Sequence, residues 1–169
     1  MNRLNVFNQN WCPWRYPSNW IKNARLFFRQ FKWAYQRITK GYCDADYWDL
    51  DSHLTELMAQ SIKELADNTH GYPGNKEFPT YESWKNYLYR IVYLLNYSLK
   101  DDLPNPYEDA WLAILDKKDT FNNINNSTPE EKAITDKFLD VEVENDKKKY
   151  AAQQEALKMI QHCFNDLWD

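Results

Sequence analysis

Between residues 19 and 40, in NWIKNARLFFRQFKWAYQRITK, the apolar positions Trp20, Ala24, Phe27, Phe31, Ala34 and Ile38 recur at alternating steps of four and three. Ile21, Phe28 and Tyr35 widen that face, and Lys22, Arg25, Arg29 and Lys32 form a charged stripe opposite it. This spacing predicts an amphipathic helix whose aromatic side feeds the core. Gly41 follows it, in the position where a left-handed residue ends a helix. Further on, Leu50, Leu54, Leu57, Met58, Ile62 and Leu65 make one apolar face, which predicts a second helix reaching about Asn68. Its start falls somewhere among Asp44, Asp46 and Asp49, acids favoured at the amide-positive end of a helix.

The pattern continues after the turn chemistry of NTHGYPGNKEFP. Thr80 caps a third helix with Trp84, Leu88, Ile91, Leu95 and Leu99 on one face. Asn105 and Pro106 open a fourth, and TFNNINNS is a polar loop. Thr128, Pro129 and Glu131 spell a capping box with proline in the first turn. Beyond it VEVENDKKK dilutes the apolar face, which predicts either a break near 140–147 or a solvent-exposed stretch. Leu157, Ile160, Phe164 and Leu167 then resume a core stripe. No strand-like alternation longer than VEV occurs. The expected architecture is all-α: a single compact bundle of five or six helices forming one domain over 1–169, with 1–18 an extended aromatic arm and 119–128 a loop.

Composition adds exclusions. The 169 residues include 8 Trp, 12 Tyr and 8 Phe, too heavy an aromatic load for a disordered chain. Only 3 Gly occur, so neither GxGxxG nor GxxxxGK[ST] can be written. The 3 Cys (Cys12, Cys43, Cys163) are far apart and unpaired by any CxxC, as expected of free thiols in a reducing compartment. The first residues lack the apolar run of a signal peptide, and no apolar stretch is long enough to span a membrane. The reading is of an intracellular, soluble protein without a membrane partner.

Charge is unevenly spread. Residues 1–43 hold eight basic residues and no acid, while the remainder holds 13 basic and 25 acidic residues, a balance of −12. Such asymmetry suits either docking of the two parts on each other or a basic face for an anionic partner.

Candidate chemistry concentrates in two places. GYCDADYWDLDSHL carries Asp44, Asp46, Asp49, Asp51 and His53, and Asp46, Asp49 and His53 share one side of a helix. A divalent ion could sit there, completed by Cys43 or His70, and a metal-dependent hydrolase using Asp44, Asp46, Asp49 and His53 is the alternative this leaves open. The simpler reading is a cap, since acids gather where helix amides lack acceptors. No HExxH or paired CxxC, no nucleophile motif and no cofactor motif is present. The second place is the basic helix, where Trp33 lies four residues from both Arg29 and Arg37. Such a group can stack a base or anchor a protein interface. His70, in THGYPG, stands beside a helix end, where it is expected to bond the last carbonyls.

The words LNVFNQNW, FKWAYQRITKGYCDADYWDLDSHL, THGYP, YESW and the terminal LWD resemble a family of small proteins encoded by phages and prophages of Gram-positive bacteria. The resemblance covers most of the chain except about 116–150. Its most specific words, RxTKGYxDxDxWxLD and HGYP, mark Arg37, Gly41, Asp44, Asp46, Trp48, Asp51, His70, Gly71 and Pro73. It implies a phage accessory product in the host bacterial cytoplasm that binds without catalysis. The implied partner is a host defence protein or a nucleotide-type signalling ligand, with homo-oligomerisation or a virion assembly role also open. The expected contact surface is Arg29, Trp33, Arg37, Asp46, Trp48, Asp51 and His70.

Overall fold

A computed structural model describes residues 20–101, 103–117 and 127–168, with backbone alone for 20–27 and 117. The expected aromatic arm and most of the expected 119–128 loop lie outside the described residues. Among them five helices follow one another: α1 Trp20–Lys40, α2 Leu50–Asn68, α3 Tyr81–Ser98, α4 Glu108–Lys117 and α5 Pro129–Cys163. Single 3-10 turns stand at Asp46–Asp49 and Phe164–Asp166. No strand occurs among the described residues, and the fold is an all-α bundle.

Local chemistry sets the helix ends. Gly41 takes φ +81° and donates its N–H to the Arg37 carbonyl, closing α1. At α3 the Thr80 hydroxyl accepts from the Ser83 amide while the Ser83 hydroxyl accepts from the Thr80 amide. At α5 the same reciprocal pair joins Thr128 and Glu131, with Pro129 in the first turn. Asn105 Oδ1 accepts from the Tyr107 amide at 3.1 Å and leads the chain into α4.

The core is a three-helix contact in which α3 lies between α2 and α5. Trp84, Leu88, Ile91 and Leu95 of α3 are fully buried, as their spacing predicts. They meet Ala59, Ile62 and Ala66 of α2 and Ala152, Ala156, Ile160 and Cys163 of α5. Alanines on both flanking helices let the backbones approach, so α3's larger side chains fill the interior. Phe78, ahead of α3, packs edge-on against Trp84 and Tyr87 with centroids 4.9 and 4.8 Å away. The Tyr87 hydroxyl donates to the Met159 carbonyl at 3.1 Å, and Gln153 Nε2 donates to Thr55 Oγ1 at 3.0 Å, tying α5 to its neighbours.

α5 runs unbroken for 35 residues. Of the two outcomes expected for 140–147, the solvent-exposed one is found, with Leu139, Val143 and Tyr150 all outward. The N-terminal half holds together by binding the short α4. Trp111 stacks on Phe138 with centroids 4.3 Å apart and planes 1° from parallel. Asn105 Nδ2 donates to the Phe138 carbonyl and to Glu142 Oε1, at 3.1 and 2.7 Å.

Three expectations are corrected. Over the part of α1 whose side chains are described, the aromatic side does not enter the core: Phe28, Phe31, Tyr35 and Ile38 are half or more exposed, Ala34 alone of the expected face is buried, and the buried cluster of described residues contains none of α1. On α2 the row Leu50, Leu54, Leu57 faces outward, because the Thr55, Ala59, Ile62, Ala66 row packs more closely against α3. Phe164 leaves the core stripe because the helix tightens into a 3-10 turn at that residue and turns the ring outward.

Candidate binding surface

The C-terminal end of α1, the loop after Gly41 and the first turn of α2 form one joined region. Its centre is an ion pair between Arg37 and Asp46: Nη2 donates to Oδ1 at 2.6 Å and Nε to Oδ2 at 3.3 Å. Asp46 is 7% exposed and its Oδ2 also accepts from the Cys43 amide at 2.7 Å. Burial works against the charge on Asp46, yet the bonds from Arg37 and the Cys43 amide outweigh it and hold the carboxyl below the usual carboxylate range. The same bond to Asp46 raises Arg37 further.

A second link lies beside it. Asp44 accepts from Lys32 Nζ at 2.7 Å and from Gln36 Nε2 at 2.8 Å, while Gln36 Oε1 accepts from the Asp44 amide at 3.1 Å. The Lys32 bond, with that of Gln36, draws the Asp44 carboxyl downward. Thus the aspartates of the GYCDADYWD stretch are not principally helix caps. The N-cap Asp49 makes no side-chain cap bond to α2, and the turn before it has none either. The physical reason is competition: a charge-assisted bond to a cation outmatches one to a helix amide. The basic stripe of α1 does, over this part of its length, face acids of its own chain.

These pairings also decide the metal arrangement suggested by spacing. His53 does reach Asp46, with Nε2 3.9 Å from Oδ2, and is 3% exposed. Asp44 and Asp46, however, are each occupied by a cation. Among the described residues no three of His, Cys, Asp and Glu gather so as to hold a metal ion. His53 Nδ1 is buried with no hydrogen-bond partner. Neither His53 nor Gln36 belonged to the expected contact surface. Gln36 was legible as the residue four after Lys32 on the same side of α1, and His53 through its spacing from Asp46 and Asp49, where it was read as a candidate metal ligand.

The expected contact residues divide into three places. Arg37, Asp46, Trp48 and Asp51 are brought together around the 3-10 turn, Arg37 half-buried and Asp46 buried in the pair, the last two exposed. Arg29 lies over the Trp33 ring at 4.8 Å, one turn further along α1. Trp33 is therefore not held between two arginines, because Arg37 is drawn to Asp46. His70 lies past the opposite end of α2 from the 3-10 turn, beyond a helix of 19 residues that is about 28 Å long at the helical rise.

Around the pair the surface is aromatic. Trp48 is 94% exposed, Tyr47 is 60% exposed, and the Tyr47 ring meets Tyr42 edge-on at 5.6 Å. Behind them an open groove of about 430 Å³ runs between the end of α1 and α2, lined by Arg37, Ile38, His53, Leu57, Gln60 and Glu64 among others. No helix among the described residues is long and apolar enough to cross a membrane. No protein-family model, curated protein or solved structure matches this chain.

Proposed function

We propose that this chain is a non-catalytic binding protein, an accessory product of phage origin that acts in the host bacterial cytoplasm. Its contact surface is the aromatic knob at the 3-10 turn, and its target is a host defence protein that the knob seizes and blocks. The observation that carries the reading is Trp48, 94% exposed on a turn that the part-buried Arg37–Asp46 pair pins from behind. Tryptophan and tyrosine are the residues that dominate protein interfaces when they enter a partner's pocket. A ring held rigidly before binding loses little freedom on docking. The phage origin rests on the resemblance of the sequence words.

Capture of a nucleotide signal is the less supported form of the same idea. It needs arginines open to phosphate beside a ring open to a base. Arg37 is committed to Asp46, and Arg29 already covers the Trp33 face.

The test is affinity purification of the tagged chain from infected cells, with small molecules extracted from the same sample. A host protein retained by the wild type and lost with Trp48→Ala supports the reading. Equal retention by Trp48→Ala, or recovery of virion components alone, overturns it. A nucleotide recovered without a host protein would shift the assignment to signal capture.

A further inference from the structure

The N-terminal half of α5 holds α4 on one side and presents an apolar stripe on another. Leu139, Val143 and Tyr150 are 50, 53 and 63% exposed. Their spacings of four and seven residues bring them onto one face of the helix. Asp146 falls on the same line but leans off it toward Lys149, with Oδ1 3.8 Å from Nζ. Asp140 and Lys147 border the stripe. Both are exposed, and neither is in an ion pair among the described residues. Glu144 and Lys148 pair with each other at 2.9 Å within the helix, so they decide nothing about a partner.

We propose that the chain forms an isologous dimer in which the outer faces of two α5 helices pack antiparallel, with the two-fold axis beside residue 144. What selects a second copy is that the stripe and its charged border share one centre. The midpoint of Leu139 and Tyr150 falls between residues 144 and 145, and that of Asp140 and Lys147 between 143 and 144. The two midpoints differ by one residue, about 1.5 Å along the axis. Turning the helix end for end about that centre sets Leu139 of each copy against Tyr150 of the other, and Asp140 against Lys147. The two Val143 side chains then flank the axis, and one contact repeated twice buries the whole stripe.

Other arrangements fit this face less well. Parallel pairing would set Asp140 against Asp140 and Lys147 against Lys147, like charge against like. A foreign partner would be served equally by a stripe with no mirrored order. The outer side also continues past Tyr150 through Ala151, Lys158 and Gln161, all exposed, so the N-terminal half of the other copy has a surface to lie along. Trp48 and its turn are no part of this face, and the inference does not rest on the proposed function.

The experiment is sedimentation equilibrium of the full chain from low to high micromolar concentration. The expected result is a concentration-dependent species of twice the 20.4 kDa chain mass. Leu139→Glu and Val143→Glu should each leave a monomer with unchanged far-ultraviolet circular dichroism. Asp140→Lys turns two attractions into two repulsions and should weaken association roughly tenfold; adding Lys147→Asp to it should restore the dimer. If Leu139→Glu loses its helical signal, Val143→Glu and the charge swap decide. A wild type that stays monomeric throughout overturns the proposal. So does a dimer that the folded stripe variants leave intact, or one that the double swap fails to recover.

Discussion

Arg37 and Asp46 meet as a two-point pair, the guanidinium Nη2 2.6 Å from Oδ1 and Nε 3.3 Å from Oδ2. One residue ends a helix and the other opens a 3-10 turn, so this contact fixes the angle at which the chain leaves α1 for α2. Asp46 adds a bond from the Cys43 amide and leaves the turn little freedom. The exposed rings of Tyr47 and Trp48 are carried on that turn.

Asp46→Asn keeps the shape and removes the charge. It should lower unfolding stability by about 1–3 kcal/mol, the range for losing a hydrogen bond to a charged group. Urea denaturation followed by tryptophan fluorescence measures it. A loss of under a few tenths of a kcal/mol would mean the pair contributes nothing net.

The pH dependence has a defined sign. Asp46 is held below the usual carboxylate range in the folded chain, so its contribution is fully present above about pH 4 and is lost as pH falls through the folded value. The stability gap between wild type and Asp46→Asn should therefore be flat near neutrality and close in acid. Paired denaturation curves at stepped pH check this, and a gap that widens in acid would contradict it.

Leu88 is fully buried in the centre of α3, against both flanking helices. Leu88→Ala should cost about 2–5 kcal/mol, through lost burial and the cavity left behind. By contrast Trp48→Ala, at a ring 94% exposed, should change stability by less than about 0.5 kcal/mol. Thermal melts of the two variants side by side separate a core position from a presented one.

Asn105 joins α4 to α5 through the Phe138 carbonyl and Glu142, and holds the entry to α4 through the Tyr107 amide. Asn105→Ala should release α4 before the rest of the bundle, with a loss of about 1–3 kcal/mol from the hydrogen bonds removed. Hydrogen exchange should then rise across 108–117 and stay unaltered in α3. Uniformly faster exchange would show that α4 is not a separable unit.

Much of the fold was legible along the chain. Gly41, the Thr80 pair and the Thr128–Pro129–Glu131 box set helix ends by contacts within a few residues, which a sequence contains in full. The α3 row was equally plain, since a helix packed on both sides must bury its most apolar face. What the one-dimensional pattern could not contain was the choice among apolar faces. Periodicity tells which side of α1 is apolar; whether a partner exists for it depends on where the other helices go. Ala59 and Ala66 let α2 close on α3 along a row that looks less hydrophobic than Leu50, Leu54 and Leu57, and the described aromatic side chains of α1 stayed out of that cluster. The acids before α2 had the same ambiguity. Helix amides nearby and cations on α1 both competed for them, and only the fold brought Lys32 and Arg37 within reach, where charge-assisted bonds prevail.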